Sequence, residues 1–389
     1  MKVLVVTFEY PPFSGGIATA AVTVAEGLAR TGCEVRVLAP AYRGDEALDR
    51  TLASTTVRMR VGHGTRELVR FLPGFVHLHR EISRFRPDVA LLASDLAHGI
   101  GAVACGVHGV PYVPVVHGSE IAKHFPPRTL KQRLQAVPLR RAYARADRVV
   151  CVSAYVRGLM EEAGFDPARL AVIRNGVADA LADAPRDPAR ERSLRTRLGI
   201  GERRVVLTFA RLTPRKGQDV VIRALPAILR AHPRACYVVA GTGEDGARLE
   251  RLAEETGVAD AVVMAGRIPE EDKVALLDLC DVYVLPSRGE AQRVEGLGIA
   301  LLEAAARAKP LVAGRHGGVP EIVEHGVSGW LVDPSDAPEV AARVGSLLAD
   351  GQGAASMGRA AREMVSGRFL ARTMAGEYRA LLAEVAAGR

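Results

Sequence analysis

Strand-length apolar runs alternate with helix-length amphipathic runs along the whole of this chain. The first series reads KVLVVTF, EVRVLAP, TVRMRV, DVALLA, YVPVVHG, RVVCVS and LAVIRN. A second reads RVVLTFARL, CYVVAG, AVVMAG, VYVLPS, PLVAG and GWLVDP. Helical patterns lie between them, among them 17–31, 65–85, 128–145, 218–232, 270–280, 298–308 and 337–349. Strands that are apolar at every position are buried on both faces, as in parallel sheets covered by helices. The series restarts near residue 203, after the charged, proline-bearing segment ADAPRDPARERSLRTRLGIGERR. At 389 residues the chain exceeds what one core ordinarily holds. The expected fold is α/β: two doubly wound Rossmann-like domains facing across a cleft, with ligand at the carboxyl ends of their strands. The expected bounds are 1–180, a linker at 181–202, 203–366, and a tail at 367–389 whose helix crosses back onto the first domain.

Composition narrows the function classes. The opening MKVLVVTFEYPP has one lysine and a short apolar run that stops at Glu9, a strand pattern and not a signal peptide. Leu96 to Gly118 is uncharged but carries five Gly, two Pro and three His, so it reads as helix, turn and buried strand, not a membrane span. The five cysteines, at 33, 105, 151, 236 and 280, form no C-x-x-C pair. Such a dispersed, odd set suits reduced, buried thiols in a cytoplasmic protein. The net charge of +8 is uneven: residues 1–180 hold 23 Lys+Arg against 16 Asp+Glu, the remainder 29 against 28. The basic density peaks at 123–148, where Phe125 and Tyr143 are too few to make a stacking platform for bases, which argues against nucleic acid. Two readings stand for that segment: a solvated helix face, or a face for peripheral contact with anionic lipid at the inner membrane surface.

Residues 286–303, PSRGEAQRVEGLGIALLE, carry the densest chemistry. They follow the apolar VYVL and lead into IALLEAAARA, giving strand, glycine-bearing loop and helix. Helix-start N–H groups bind phosphate, and small residues let it approach the backbone. Glu295 and Glu303 stand eight positions apart around Gly296-Leu297-Gly298. A carboxylate repels phosphate but accepts two hydrogen bonds from a sugar diol. In an unbroken helix the two acids would lie about 12 Å apart. A helix that begins near Gly298 leaves Glu295 in the loop, so each acid reaches a different part of one extended ligand.

Other candidates follow strand ends. Gly15-Gly16 opens the helix after the first strand, at the usual ligand edge, or simply makes a tight turn. Arg211 and Lys216, in FARLTPRKGQD, follow the first strand of the second series and suit a diphosphate clamp, with Arg215 competing for the role. Gly241-Thr242-Gly243-Glu244-Asp245-Gly246 fits G-x-G-x-x-G. It follows a second strand, not a first, and carries two acids, so it reads as a nucleotide-edge or structural loop, not a dinucleotide fingerprint. His117, in VVHGSE, ends a strand and can bind a hydroxyl, move a proton or serve structure. There is no Asp-x-Asp and no H-x-x-x-H, so a diphosphate would rest on Arg and Lys, and no metal ligands are expected.

Together these residues resemble the retaining, nucleotide-sugar-dependent glycosyltransferases of family 4, with the GT-B fold. Gly15-Gly16, His117, N-G-V at Asn175 to Val177, R-x-x-x-x-K at 211–216, G-x-G at 241–243, Glu295/Glu303, G-G-V-P-E at Gly317 to Glu321 and G-V-S-G-W-L-V-D-P at 326–334 fall in order. The resemblance implies that Arg211 and Lys216 hold the diphosphate and Glu303 the ribose diol. Gly298 and Ile299 would offer N–H groups to phosphate, and Gly241, Gly243 and Arg267 join the donor-binding set. Glu295 would face the transferred sugar and His117 would meet it from the first, acceptor-side domain, with Gly15 and Gly16 on the acceptor and phosphate side. Glu290 also stands in the family's S-x-x-E arrangement; the glutamate eight residues on and the adjacent Gly-Leu-Gly favour Glu295.

The implied function is transfer of a hexose-type sugar from a UDP- or GDP-linked donor to a hydroxyl acceptor, with retention and with neither metal nor cofactor. The acceptor would be a lipid-linked glycan, a lipid head group or a small metabolite. A GT-B-fold sugar-nucleotide epimerase is the nearest rival, and a non-catalytic sugar-nucleotide scaffold is the rival from another class.

Overall fold

The structure is a computed structural model that describes residues 1–13, 15–42, 45–60, 67–127, 129–290 and 293–388. The starts of the helices expected at 65–85 and 128–145, and Ser14 of the EYPPFS loop, lie outside the described residues. The chain divides into two compact units, Met1–Gly176 with Ala371–Arg389, and Val177–Leu370.

In the first unit, β1 (Lys2–Val6), β2 (Glu34–Pro40), β3 (Thr55–Met59), β4 (Val89–Leu92), β5 (Tyr112–Val116), β6 (Val149–Cys151) and β7 (Leu170–Val172) form one sheet. The strand order is β3-β2-β1-β4-β5-β6-β7, and every pairing is parallel. In the second unit, β8 (Arg204–Phe209), β9 (Ala235–Ala240), β10 (Val262–Gly266), β11 (Val282–Leu285), β12 (Leu311–Gly314) and β13 (Gly329–Val332) take the order β10-β9-β8-β11-β12-β13, again all parallel. All thirteen apolar runs of the sequence are strands. Along them, alternate residues enter opposite layers. Val205, Leu207, Tyr283 and Leu285 face one core, and Val206, Val282, Val284 and Val312 face the other. Each sheet is therefore doubly wound. Its order reverses beside the first strand, between β1 and β4 in one unit and between β8 and β11 in the other, and such a crevice is where open α/β sheets bind ligands.

Two expected boundaries are corrected. Residues 181–202 are not a linker: helices Asp179–Asp183 and Pro188–Arg197 belong to the second unit, and Leu181, Leu194 and Ile200 are buried in its core. Arg307 holds them from beneath. Its guanidinium grips Asp278 bidentately at 2.8 and 2.6 Å, and donates to the carbonyls of Leu181 at 3.1 Å and Ala184 at 2.7 Å. The apolar residues are few among many charges, which hid the packing face. The tail begins at 371, and its helix, Ala371–Ala387, packs in the first unit through Met374, Tyr378, Leu382 and Val385.

All five cysteines are buried free thiols. No described helix is long and apolar enough to cross a membrane.

Candidate active site

The second unit places its predicted residues at the carboxyl end of the sheet, around the point where strand order reverses. Arg211, Arg215 and Lys216 follow β8, and 286–298 follow β11. The helix Ile299–Ala306 starts after Gly298, whose φ of 101° suits glycine. Glu295 therefore stands in the loop and Glu303 in the helix's second turn, the separation that the spacing suggested.

Each acid is met by a lysine. Lys216 Nζ lies 2.6 Å from Glu295 Oε2, and Arg215 Nη1 donates to the same oxygen at 2.9 Å and to the Val294 carbonyl at 3.3 Å. Burial alone would raise the Glu295 carboxyl, but the charges of Lys216 and Arg215 and the Lys216 hydrogen bond outweigh it and hold it at about 2. Burial lowers the pKa of Lys216. Glu295 opposes that shift, while Arg215 and Arg211 reinforce it. Arg215, a competitor for the clamp in the sequence, is thus engaged with the loop that carries Glu295, while the Arg211 side chain is exposed. Glu303 accepts from Lys273 Nζ at 2.6 Å, and Glu270 stands 3.6 Å from the same nitrogen. Burial would lower the Lys273 ammonium, but the two glutamates outweigh it and raise it. No sequence motif announced Lys273; only the packing of helix Lys273–Leu279 brings it to Glu303.

Two glycine motifs serve the backbone. A Cβ on Gly243 would come within 2.1 Å of the Leu212 carbonyl oxygen, and one on Gly241 within 2.1 Å of that of Ala210. The bonds Leu212 N–H to Thr242 O, 3.0 Å, and Asp245 N–H to Leu212 O, 3.2 Å, lock the loops together. G-x-G-x-x-G thus braces the segment that carries Arg211. Likewise a Cβ on Gly318 would meet Gly296 O at 2.1 Å, and its N–H bonds Glu295 O at 3.0 Å, so G-G-V-P-E supports the acidic loop. Arg267 follows β10 and is exposed. Glu290 pairs through its backbone with Arg293, N–H to carbonyl in both directions at 3.1 and 2.8 Å.

In the first unit, Gly15 precedes the helix Gly16–Arg30, and a Cβ on Gly16 would meet no described atom within 4 Å. Packing inside the unit does not demand glycine there. His117 follows β5. Its Nε2 lies 3.3 Å from the Ala93 carbonyl, and its backbone N–H donates to Glu120 Oε1 at 2.5 Å. Nearby His98 is fully buried between Tyr143 Oη at 2.9 Å and the Val115 carbonyl at 3.1 Å. Burial pushes both imidazoles down to about 4. A histidine that titrates near 6.5 in the unfolded chain and near 4 in the folded one binds fewer protons when folded between those values. Stability is therefore expected to fall as pH drops from about 6.5 to about 4. Urea midpoints taken across that window check this, and a flat profile would contradict it.

Residues 14–181 match the family described as Glycosyltransferase Family 4, and residues 190–364 that described as Glycosyl transferases group 1. The chain is 36% identical over 390 residues to a GDP-mannose-dependent alpha-(1-6)-phosphatidylinositol monomannoside mannosyltransferase of Mycolicibacterium smegmatis, covering 99% of this chain and 98% of that one. It is 33% identical to the Mycobacterium tuberculosis H37Rv protein of the same description, covering 97% and 96%. Among solved structures, Anabaena Alr3699/HepE in complex with UDP-glucose superposes with a TM-score of 0.83 at 24% identity, covering 99% of this chain and all of that one. Sucrose-phosphate synthase from Thermosynechococcus elongatus gives 0.82 at 19% identity, covering both chains fully. These two show the fold, and the near-full-length relatives show the family. The chain belongs to the GT-B glycosyltransferases of family 4, with the group 1 match in its second unit.

Proposed function

We propose that this glycosyltransferase moves a mannosyl group from GDP-mannose to a hydroxyl of a phosphoinositide-type glycolipid, with retention and without a metal. The observation that carries a nucleotide-sugar site is the part-buried Lys216–Glu295–Arg215 cluster beside the helix start at Gly298. Cations there, with Arg211, stabilise the diphosphate as the bond from its oxygen to the anomeric carbon breaks. Such preorganised groups are commonly worth about 3–4 kcal/mol each. The acceptor hydroxyl oxygen then bonds the anomeric carbon on the face the diphosphate vacates and its proton passes to the departing diphosphate oxygen, so no protein nucleophile is needed. Glu303 reads the ribose, Glu295 the transferred sugar, and His117 serves the transfer reaction. The relatives' stated donor favours GDP-mannose over UDP-linked sugars.

An anionic, membrane-borne acceptor suits the surface of the first unit. Helix Asp95–His108 packs against both Glu67–Phe85 and Leu130–Arg145. These three helices expose Leu72, Val76, Val103, Val107, Leu130, Leu134 and Val137, each between 37% and 74% accessible. Arg133, Arg141 and Arg145 are exposed beside them on the last helix. Exposed apolar side chains with exposed arginines on one of the helices fit the interface of an anionic bilayer.

The test is a thermal-shift screen of GDP-, UDP- and ADP-sugars, since a donor that binds only the folded protein raises Tm. Transfer to lipid acceptors in EDTA follows, with the anomeric configuration of the product read by NMR. GDP-mannose is expected to give the largest shift and an α-linked product. Epimerised donor without any acceptor would favour the epimerase. Leu134→Glu is expected to weaken sedimentation with anionic vesicles, and absence of wild-type binding at low salt would remove the membrane reading.

A further inference from the structure

Glu120 has no part in the chemistry above, yet it lies in the interior of the first unit next to His117. It is 4% exposed, and its Oε1 accepts the His117 N–H at 2.5 Å. It sits in the short helix Ser119–His124, which follows Gly118, a residue at φ 103°. No described cation pairs with it. The cations of its own helix go to Asp95 instead, Lys123 at 3.9 Å and His124 at 3.8 Å. The groups that face Glu120 from neighbouring elements add no positive partner. They are Glu9 after β1, Asp95 on helix Asp95–His108, Tyr143 on Leu130–Arg145, and Cys151 on β6, while His98 faces Asp95 and His117. A buried carboxyl that faces two other carboxylates, and whose backbone N–H partners, its own and that of His117, are outweighed by burial, is held more cheaply as the uncharged acid.

We propose that Glu120 is a positioning residue for the His117 loop, held as an uncharged acid, whose ionisation at alkaline pH loosens that loop and switches transfer off. This rests on the reading that His117 serves transfer. Burial, reinforced by Asp95 and Glu9, pushes the Glu120 carboxyl up to about 8. When it ionises, a third negative charge joins Asp95 and Glu9 in a buried site, and the loop must move to admit water. In the folded protein Glu120 keeps a proton that the unfolded chain has already lost above about 4.5, so its own contribution to stability falls as pH rises from there towards about 8, opposite in sign to that of the two histidines. Glutamine keeps the accepting oxygen and removes the charge change.

The experiment compares wild type, E120Q and E120A. For wild type, kcat/KM is expected to fall about tenfold per pH unit above about 8, as for one ionisation in the free enzyme. E120A is expected to lose transfer, and E120Q to restore it at neutral pH without the alkaline decline. The same alkaline limb in E120Q overturns the proposal. A second measurement needs no turnover: the wild-type-minus-E120Q infrared difference spectrum is expected to show a carboxylic-acid C=O band at neutral pH that disappears in alkali. A carboxylate band at neutral pH overturns the proposal even if E120A fails to fold. If no donor is turned over by wild type, the transfer reading fails while the infrared band still decides the charge of Glu120.

Discussion

Lys216→Ala is expected to lower sugar transfer by about 100- to 1000-fold while the protein still folds. The lysine is a largely buried cation, 2.6 Å from Glu295 Oε2. As the donor bond breaks, negative charge builds on the diphosphate. A fixed ammonium stabilises that charge without reorganising, which water in its place does not do. The fold should survive because Arg215 stays 2.9 Å from the same carboxylate oxygen. The stability loss should therefore fall below the roughly 3–5 kcal/mol typical of breaking a buried pair outright. Turnover, urea midpoint and donor-induced Tm shift together check this. Arg211→Ala should cut turnover comparably with less effect on stability, because its side chain is exposed. Near-normal turnover in both variants would remove the clamp.

Glu295→Ala should show the largest combined effect. It leaves Lys216 and Arg215 facing one another without the carboxylate that neutralises them, so a stability loss of about 3–5 kcal/mol is expected, with transfer abolished. The pH dependence gives a signature. The Glu295 carboxyl titrates at about 2 when folded, against 4.5 for the free group. Its contribution is complete above the unfolded value and is lost as pH falls towards the folded one. The stability gap between wild type and variant should therefore be widest near neutrality and shrink in acid. Glu290→Ala is the control. Glu290 engages Arg293 through its backbone, which a side-chain truncation leaves in place. If Glu290→Ala alone abolished transfer, the assignment of the sugar-facing acid to Glu295 would be wrong.

The strands were legible because a residue buried on both faces of a sheet must be apolar at every position, and that pattern survives any loop between. Packing that relies on a few side chains among many charges was not. Leu181, Leu194 and Ile200 sit in a segment dominated by Arg, Asp and Glu, so 181–202 reads as a linker until Arg307 is seen beneath it. The helix Gly351–Arg368 gave little sign of itself because glycines interrupt its pattern. One has a tertiary reason: a Cβ on Gly358 would meet the Ala308 carbonyl oxygen at 2.0 Å, so close approach requires its absence.

The sequence by itself determined the two doubly wound sheets, the family, and the positions of Glu295, Glu303, Arg211 and Lys216 after particular strands. Those follow from periodicity and motif order, which are local or linear properties of a chain. Only the tertiary structure decided which charges meet. Lys216 and Arg215 share Glu295, and Lys273 answers Glu303. The G-x-G loop braces its neighbour, and Glu120 lies buried near Asp95 with a hydrogen bond from the His117 backbone. The ion pairs span tens of residues, and their energies depend on distance and desolvation, which exist only once the sheets have brought the loops together.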